Sequence, residues 1–188
     1  MKPAAFLDRD GTLIEDRGYI CTFDQVHIYP FSGQALRRLN AAGIAVVLVT
    51  NQSAVARGIC SCDQVESLHL RLRETLAAES ACIDAVYWCP YLAGGKVPRF
   101  ALESPMRKPA PGMLLQAARD LGLDLSRSIM VGDKLSDMAA GKAAGCRTAL
   151  VRTGNGKAAE AAASHGPACP DFVADDLLQA VTRWLDGD

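Results

Sequence analysis

Near the N-terminus, Ala4-Ala5-Phe6-Leu7-Asp8-Arg9-Asp10-Gly11-Thr12 sets four apolar residues against an abrupt acidic cluster and a glycine. A short unbroken apolar run reads as a strand covered on both faces, and Gly11 lets the chain turn away sharply at its end. The same form recurs. Residues 44–49 are all apolar and run into Thr50-Asn51-Gln52-Ser53. Residues 85–88 give a third strand, residues 128–131 a fourth before Gly132-Asp133-Lys134, and residues 148–151 a fifth. Between the strands lie helix-like segments: from about Gly33 to a stop at Gly43, over about 63–79, from Pro111 to Gly122, over about 136–144, and over about 176–185. Pro111 is read at the first helical turn, where its missing N–H costs nothing. Strands alternating with helices predict an α/β fold with a parallel central sheet and right-handed crossovers. Residues 90–107, rich in Gly and Pro, and the Ala-rich stretch 154–170 read as loops.

The 188 residues suit a single domain spanning 1–188, with 49% hydrophobic and 22% charged residues as in ordinary globular chains. Twenty Lys+Arg against 21 Asp+Glu leave a net charge of −1, which removes the usual argument for nucleic-acid or acidic-membrane partners. No apolar run reaches the roughly 18 residues of a membrane span, and Asp8, Arg9 and Asp10 interrupt any secretory signal. A cytoplasmic location is expected. The seven cysteines are odd in number and lack zinc-finger spacing, so they read as reduced thiols. His27, His69 and His165 have no nucleophile or ligand partner in sequence and read as surface or core residues.

In open parallel sheets ligands sit beyond the carboxyl ends of the strands. The residues found there are Asp8 and Asp10, Thr50, and Asp133 to Asp137, with Arg107-Lys108-Pro109 before the helix that leads to the fourth strand. Asp8, Asp10 and Asp133 are hard oxygen ligands of the kind Mg²⁺ takes, and crowded carboxylates need a cation among them. Lys108 and the Thr50 hydroxyl suit the oxygens of a transferring phosphoryl group. Phosphoryl transfer is the chemistry that this set implies.

These four motifs, in this order, resemble those of the haloacid dehalogenase (HAD) superfamily. The chain is similar within it to the D-glycero-D-manno-heptose 1,7-bisphosphate phosphatases, which overlap with histidinol phosphatases. That likeness rests on residues 6–13, Gly18-Tyr19, residues 49–53, Ala56-Arg57-Gly58, Arg107-Lys108-Pro109 with residues 111–113, and residues 130–134. The resemblance implies a three-layer Rossmann-like fold, and the roughly 20 residues between Thr12 and the helix near Gly33 are too few for the cap domain that many relatives insert. It makes Asp8 the nucleophile and Asp10 the acid and base. Thr50 and Lys108 become phosphoryl ligands, and Mg²⁺ would be held by Asp8, the Asp10 carbonyl and Asp133. Asp16, Arg17, Gly18, Tyr19, Asn51, Gln52, Ser53, Arg107 and Lys134 would meet the substrate, and Asp137 is left between the metal's surroundings and the start of its helix.

The implied substrate is a sugar bisphosphate losing its C7 phosphate on the way to activated heptose for lipopolysaccharide or another surface glycan, and a monomer is expected. Many members of the family bind a structural zinc through Cys-x-His and Cys-x-Cys pairs. Here Tyr91 replaces the histidine and Ser104-Pro105-Met106 stands where the second pair would be, so no zinc is expected. Packing by Pro98, Phe100, Leu102 and Pro105 is the expected substitute. The alternatives are a histidinol-phosphate phosphatase, against which Arg107 and Lys134 argue mildly, and a non-enzymatic phospho-receiver or binding scaffold. A receiver would carry its acceptor after a middle strand, and a silent scaffold would not keep every catalytic residue.

Overall fold

The computed structural model describes residues 1–163, 166 and 168–187; His165 lies outside them. Six parallel strands form one sheet: β1 (Ala4–Leu7), β2 (Ala45–Asn51), β3 (Ala85–Cys89), β4 (Ile129–Gly132), β5 (Arg147–Val151) and β6 (Phe172–Ala174), in the order β3-β2-β1-β4-β5-β6. β1 is buried at all four residues and pairs with β2 on one side and β4 on the other. The strand order therefore reverses direction around β1, which places the crevice for a ligand at its carboxyl end.

Six helices complete three layers: α1 (Ser32–Ala41), α2 (Cys62–Ala78), α3 (Gly112–Leu121), α4 (Leu135–Ala144), α5 (Gly156–Ala162) and α6 (Leu177–Asp186). The two-residue period of the strands sorts the core. Ala5, Leu7, Val46 and Leu48 face Leu36, Leu39, Leu68, Leu72 and Val181 of α1, α2 and α6. Ala4, Phe6, Val47 and Val49 face Met113, Leu114, Ala117 and Ala140 of α3 and α4. Full burial of one such leucine contributes about 1.5–3 kcal/mol, so this double-sided core supplies most of the driving force. Local signals set the ends. Ser61 and Gln64 form a reciprocal capping box on α2, and α3 stops at Gly122 in the left-handed conformation.

Three expectations are corrected. The Ala-rich stretch read as a loop contains α5 and leads into β6. α5 carries no apolar stripe for periodicity to find, although alanine is the strongest helix former, and β6 is a three-residue edge strand. Pro111 caps α3 from outside rather than occupying its first turn. Cys21 and Cys60 are not thiols but a disulfide, with Cα atoms 5.5 Å apart across a sequence separation of 39. The segments after β1 and after β2 fold onto each other, which no spacing in sequence reveals.

Between β1 and α1, and between β3 and α3, the described residues form no helix longer than the 3₁₀ turns Phe23–Gln25 and Pro98–Phe100. Neither insertion is a cap. No helix among the described residues is long and apolar enough to cross a membrane.

Candidate active site

Asp8 is the first residue beyond β1, and its N–H still donates to Val131 on the neighbouring strand, at 2.9 Å. The chain then doubles back, with the N–H groups of Leu13 and Ile14 both donating to the Arg9 carbonyl at 3.0 Å. Gly11 sits at φ +85°, and a Cβ there would strike the carboxylate of Asp133. Two reasons thus require glycine: the conformation and the close approach of the β4 loop.

Lys108, in the segment between β3 and α3, is buried. Its Nζ lies 2.8 Å from Asp8 Oδ1, 2.7 Å from Asp137 Oδ1 and 2.8 Å from the Val49 carbonyl. Burial opposes its charge, but Asp137 and Asp8 outweigh that and raise its pKa. The Lys108 backbone is itself gripped by the Asn51 amide, which donates to its carbonyl at 3.0 Å and accepts from its N–H at 3.1 Å. Asn51 borders the cavity with its side chain engaged in this way. Asp137 resolves into two contacts: Oδ2 accepts from the Lys134 N–H at the start of α4, at 3.0 Å, and Oδ1 pairs with Lys108.

Asp8, Asp133 and Asp137 offer carboxylate oxygens within 4.8 Å of one another, all buried. Asp133 Oδ2 accepts from the N–H and the side-chain amide of Asn155, at 2.8 and 3.1 Å, whereas its buried Oδ1 has no hydrogen-bond partner among the described residues. Burial, then the charge of Asp8, pushes the Asp133 carboxyl up to about 7. An orphaned hard oxygen beside a second carboxylate fits a divalent cation of the Mg²⁺ type. With Asp137 committed to Lys108 and the Lys134 N–H, Asp8 and Asp133 are the carboxylates left to hold it. The Asp10 carboxylate is not in this cluster; it is turned toward Arg9 and Gln52.

The cluster opens onto a cavity of about 470 Å³ lined by Asp10, Asp16, Tyr19, Ser53, Arg107 and Lys134 among others. Lys134 pairs with Asp16 at 3.1 Å and lies 3.7 Å from Asp133. Burial opposes the Lys134 charge, but Asp133, Asp8 and Asp16 hold its pKa above the ordinary lysine value. For Asp16, the Gly18 N–H and Lys134 prevail over burial and keep its carboxyl below the usual range. Arg107 donates to the Tyr91 carbonyl at 3.1 Å, which ties this cation to the loop after β3. Gly18, Asn51, Gln52 and Lys108 also line the cavity. Thr50 lies deeper, beside Asp8 and Lys108, and its hydroxyl accepts from Gln52 at 2.8 Å.

Arg17 is not brought to this cavity. It pairs with Glu15 at 2.8 Å, is half-exposed, and lines a separate depression of about 300 Å³. Leu102 is likewise exposed rather than packed, whereas Phe100 lies tilted against Tyr91 with ring centroids 5.9 Å apart. Sequence reasoning missed Asn155, Ser136 and Arg9. Asn155 follows β5, so asking of the fifth strand what was asked of the first, second and fourth would have found it. Arg9 was hidden as the spacer between two aspartates.

A HAD-hydrolase-like family profile matches residues 105–180. Among curated relatives, the D-glycero-D-manno-heptose-1,7-bisphosphate 7-phosphatase of Thermosynechococcus vestitus is 46% identical over 188 residues, covering 98% of this chain and 95% of that protein. The D-glycero-beta-D-manno-heptose-1,7-bisphosphate 7-phosphatase of Pasteurella multocida is 47% identical over 155 residues, 82% of this chain and 84% of its own length. Among solved structures, the D,D-heptose 1,7-bisphosphate phosphatase of B. bronchiseptica, complexed with magnesium and phosphate, superposes with a TM-score of 0.86 at 33% identity, covering all of both chains.

Proposed function

The chain belongs to the D-glycero-D-manno-heptose 1,7-bisphosphate 7-phosphatase family of HAD-like hydrolases, and from that membership we propose that it removes the C7 phosphate of this sugar bisphosphate through an aspartyl phosphate on Asp8. Asp8 attacks phosphorus while Asp10 protonates the departing C7 oxygen; Asp10 then takes a proton from the water that hydrolyses the intermediate. Lys108 and Thr50 hold the phosphoryl oxygens as negative charge shifts among them. Asp8, the Asp10 carbonyl and Asp133 would hold Mg²⁺, which would offset the carboxylate charge and polarise the phosphoryl group. Arg107 and Lys134 receive the remaining anionic part of the substrate, and Asp16, Tyr19 and Ser53 face the sugar. The product is heptose 1-phosphate, a precursor of activated heptose for surface glycans.

This reading rests on one observation: a buried Asp8–Lys108 pair beside an Asp133 Oδ1 that accepts no hydrogen bond among the described residues, adjoining a cavity walled by Arg107 and Lys134. We read the chain further as a single-domain, cytoplasmic monomer that takes no zinc. In the β3 loop the Tyr91 carbonyl orients Arg107, a task that needs no metal. The test is Mg²⁺-dependent phosphate release from both anomers of the heptose bisphosphate and from histidinol phosphate. A preference of tenfold or more in kcat/KM for a heptose anomer, about 1.4 kcal/mol of transition-state binding, is expected. A preference for histidinol phosphate would overturn the substrate and leave the chemistry of Asp8 intact.

A further inference from the structure

The carboxylate of Asp10 is held on two sides. Arg9 donates to it from Nε at 3.1 and 3.2 Å and from Nη2 at 2.9 Å, and Gln52 Nε2 donates to its Oδ2 at 3.0 Å. Gln52 Oε1 in turn accepts from Arg9 Nη2 at 3.1 Å, so the three side chains lock together. Arg9 is 1% exposed, and its remaining nitrogen, Nη1, lies 3.1 Å from Nε2 of His69, sixty residues away on α2.

Guanidinium nitrogens only donate, so this contact is a hydrogen bond only if Nε2 accepts and the imidazole proton sits on Nδ1. Nδ1 is buried and has no partner among the described residues. Leaving a buried donor unpaired is unfavourable. An apolar residue would have avoided it, since His69 lies one helical turn from Val65 and beside Leu68 on the buried face of α2. Burial, and next the charge of Arg9, pushes the His69 pKa down to about 3, which keeps the ring neutral and able to accept. The ring is also fixed edge-on to Trp88, with centroids 6.3 Å apart.

We propose that His69 is a positioning residue for the reaction: by accepting from Arg9 it fixes the guanidinium that aims the Asp10 carboxylate at the leaving oxygen. Proton transfer to a leaving group depends on that aim, because an acid displaced from hydrogen-bond reach contributes nothing. Without the acceptor, Nη1 would seek water through the cavity of about 190 Å³ that His69 and Trp88 border, and the carboxylate would follow the guanidinium. The proposal rests on Asp10 being the acid.

The test compares kcat/KM for the heptose bisphosphate, whose alkoxide must be protonated, with that for p-nitrophenyl phosphate, whose leaving group needs no proton. Both values report formation of the aspartyl phosphate. Asp10→Asn is expected to lose about 100-fold or more on the sugar and far less on the aryl ester. His69→Leu is expected to lose about tenfold on the sugar and under about twofold on the aryl ester, with unchanged circular dichroism. His69→Gln, which keeps an acceptor, should stay within about threefold of wild type on both. Equal losses on both substrates in His69→Leu would reduce His69 to packing and overturn the proposal. Equal losses in Asp10→Asn would instead remove the acid assignment, and the proposal with it. Should His69→Leu not fold, ¹⁵N NMR of the wild-type ring decides: a neutral Nδ1–H tautomer is expected, and an Nε2–H tautomer or an imidazolium refutes.

Discussion

Asp133→Asn should make the metal-free protein more stable while abolishing its response to Mg²⁺. In the folded chain, burial and Asp8 move the Asp133 carboxyl from 3.8 to about 7. At 1.36 kcal/mol per pH unit this is a penalty of about 4 kcal/mol for ionising it in place, with the attraction of Lys134 already included. The unfolded chain releases this proton near 3.8 and the folded chain near 7, so the folded state binds more protons between those values. Stability therefore falls as pH rises through that window, and the full penalty stands above it. Asparagine has no such charge, and its amide oxygen can still accept from Asn155. In urea denaturation with EDTA, the advantage of Asp133→Asn should widen as pH rises from 5 to 8, reaching about 4 kcal/mol at pH 8. Mg²⁺ at a hundred times its dissociation constant should then add about 2.7 kcal/mol to wild type and nothing to the variant. If the variant is no more stable than wild type at pH 8 in EDTA, or its advantage does not grow between pH 5 and 8, then Asp133 is not a carboxylate kept for a cation.

Asp8→Asn should leave a folded and nearly inactive protein, because Lys108 keeps its pairing with Asp137; turnover comparable to wild type would remove Asp8 as nucleophile. Lys108→Met leaves Asp8 and Asp137 buried without their shared cation and should cost about 3–5 kcal/mol in urea denaturation at neutral pH. A cost below about 1 kcal/mol would mean that water or protons replace the lysine freely. Thiol titration of unreduced protein should find five free cysteines of the seven, and reducing the Cys21–Cys60 bridge should lower stability by about 4 kcal/mol for a loop of this length; seven titratable thiols before reduction would contradict the bridge. Metal analysis should find no stoichiometric zinc, and one equivalent would show that the β3 loop recruits ligands other than the missing pairs.

The strands that sequence revealed are those buried on both faces, because an unbroken apolar run such as 4–7 or 44–49 is stable only where packing covers both sides of it. β6 escaped because three residues carry too little pattern, and α5 because an alanine-rich helix without an apolar stripe has no period. The site divides along a similar line. Asp8, Thr50 and Asp133 each stand at or just beyond the end of a legible strand, so topology alone gathers them. The contacts that refine them span long separations: Asn51 to Lys108, Arg9 to His69, Asn155 to Asp16, Cys21 to Cys60. Nothing local in sequence announces such a pair, and for Asn51 and Gln52 the local reading as substrate contacts omitted that their amides already serve Lys108 and Asp10.

That division has a physical origin. A strand is specified by many residues repeating one preference, so its signal survives the loss of any single one. A site is specified by single atoms whose cost is borne by the rest of the fold. Asp133 Oδ1 and His69 Nδ1 are both buried without a hydrogen bond among the described residues, one an acceptor suited to a cation and the other a donor left over from turning Nε2 toward Arg9. Each violates the rule that buried polar groups find partners, and each lies within two contacts of Asp8 or Asp10. The largely apolar strands beneath them, with side chains packed on both faces, provide the stability that lets the chain keep both defects. Asp133→Asn should therefore stabilise the metal-free protein at the expense of turnover, whereas His69→Leu only exchanges one unpaired donor for another, because Arg9 Nη1 then loses its acceptor. Asp133→Asn removes the response to Mg²⁺, whereas His69→Leu leaves that response intact and slows only the substrate that needs a proton.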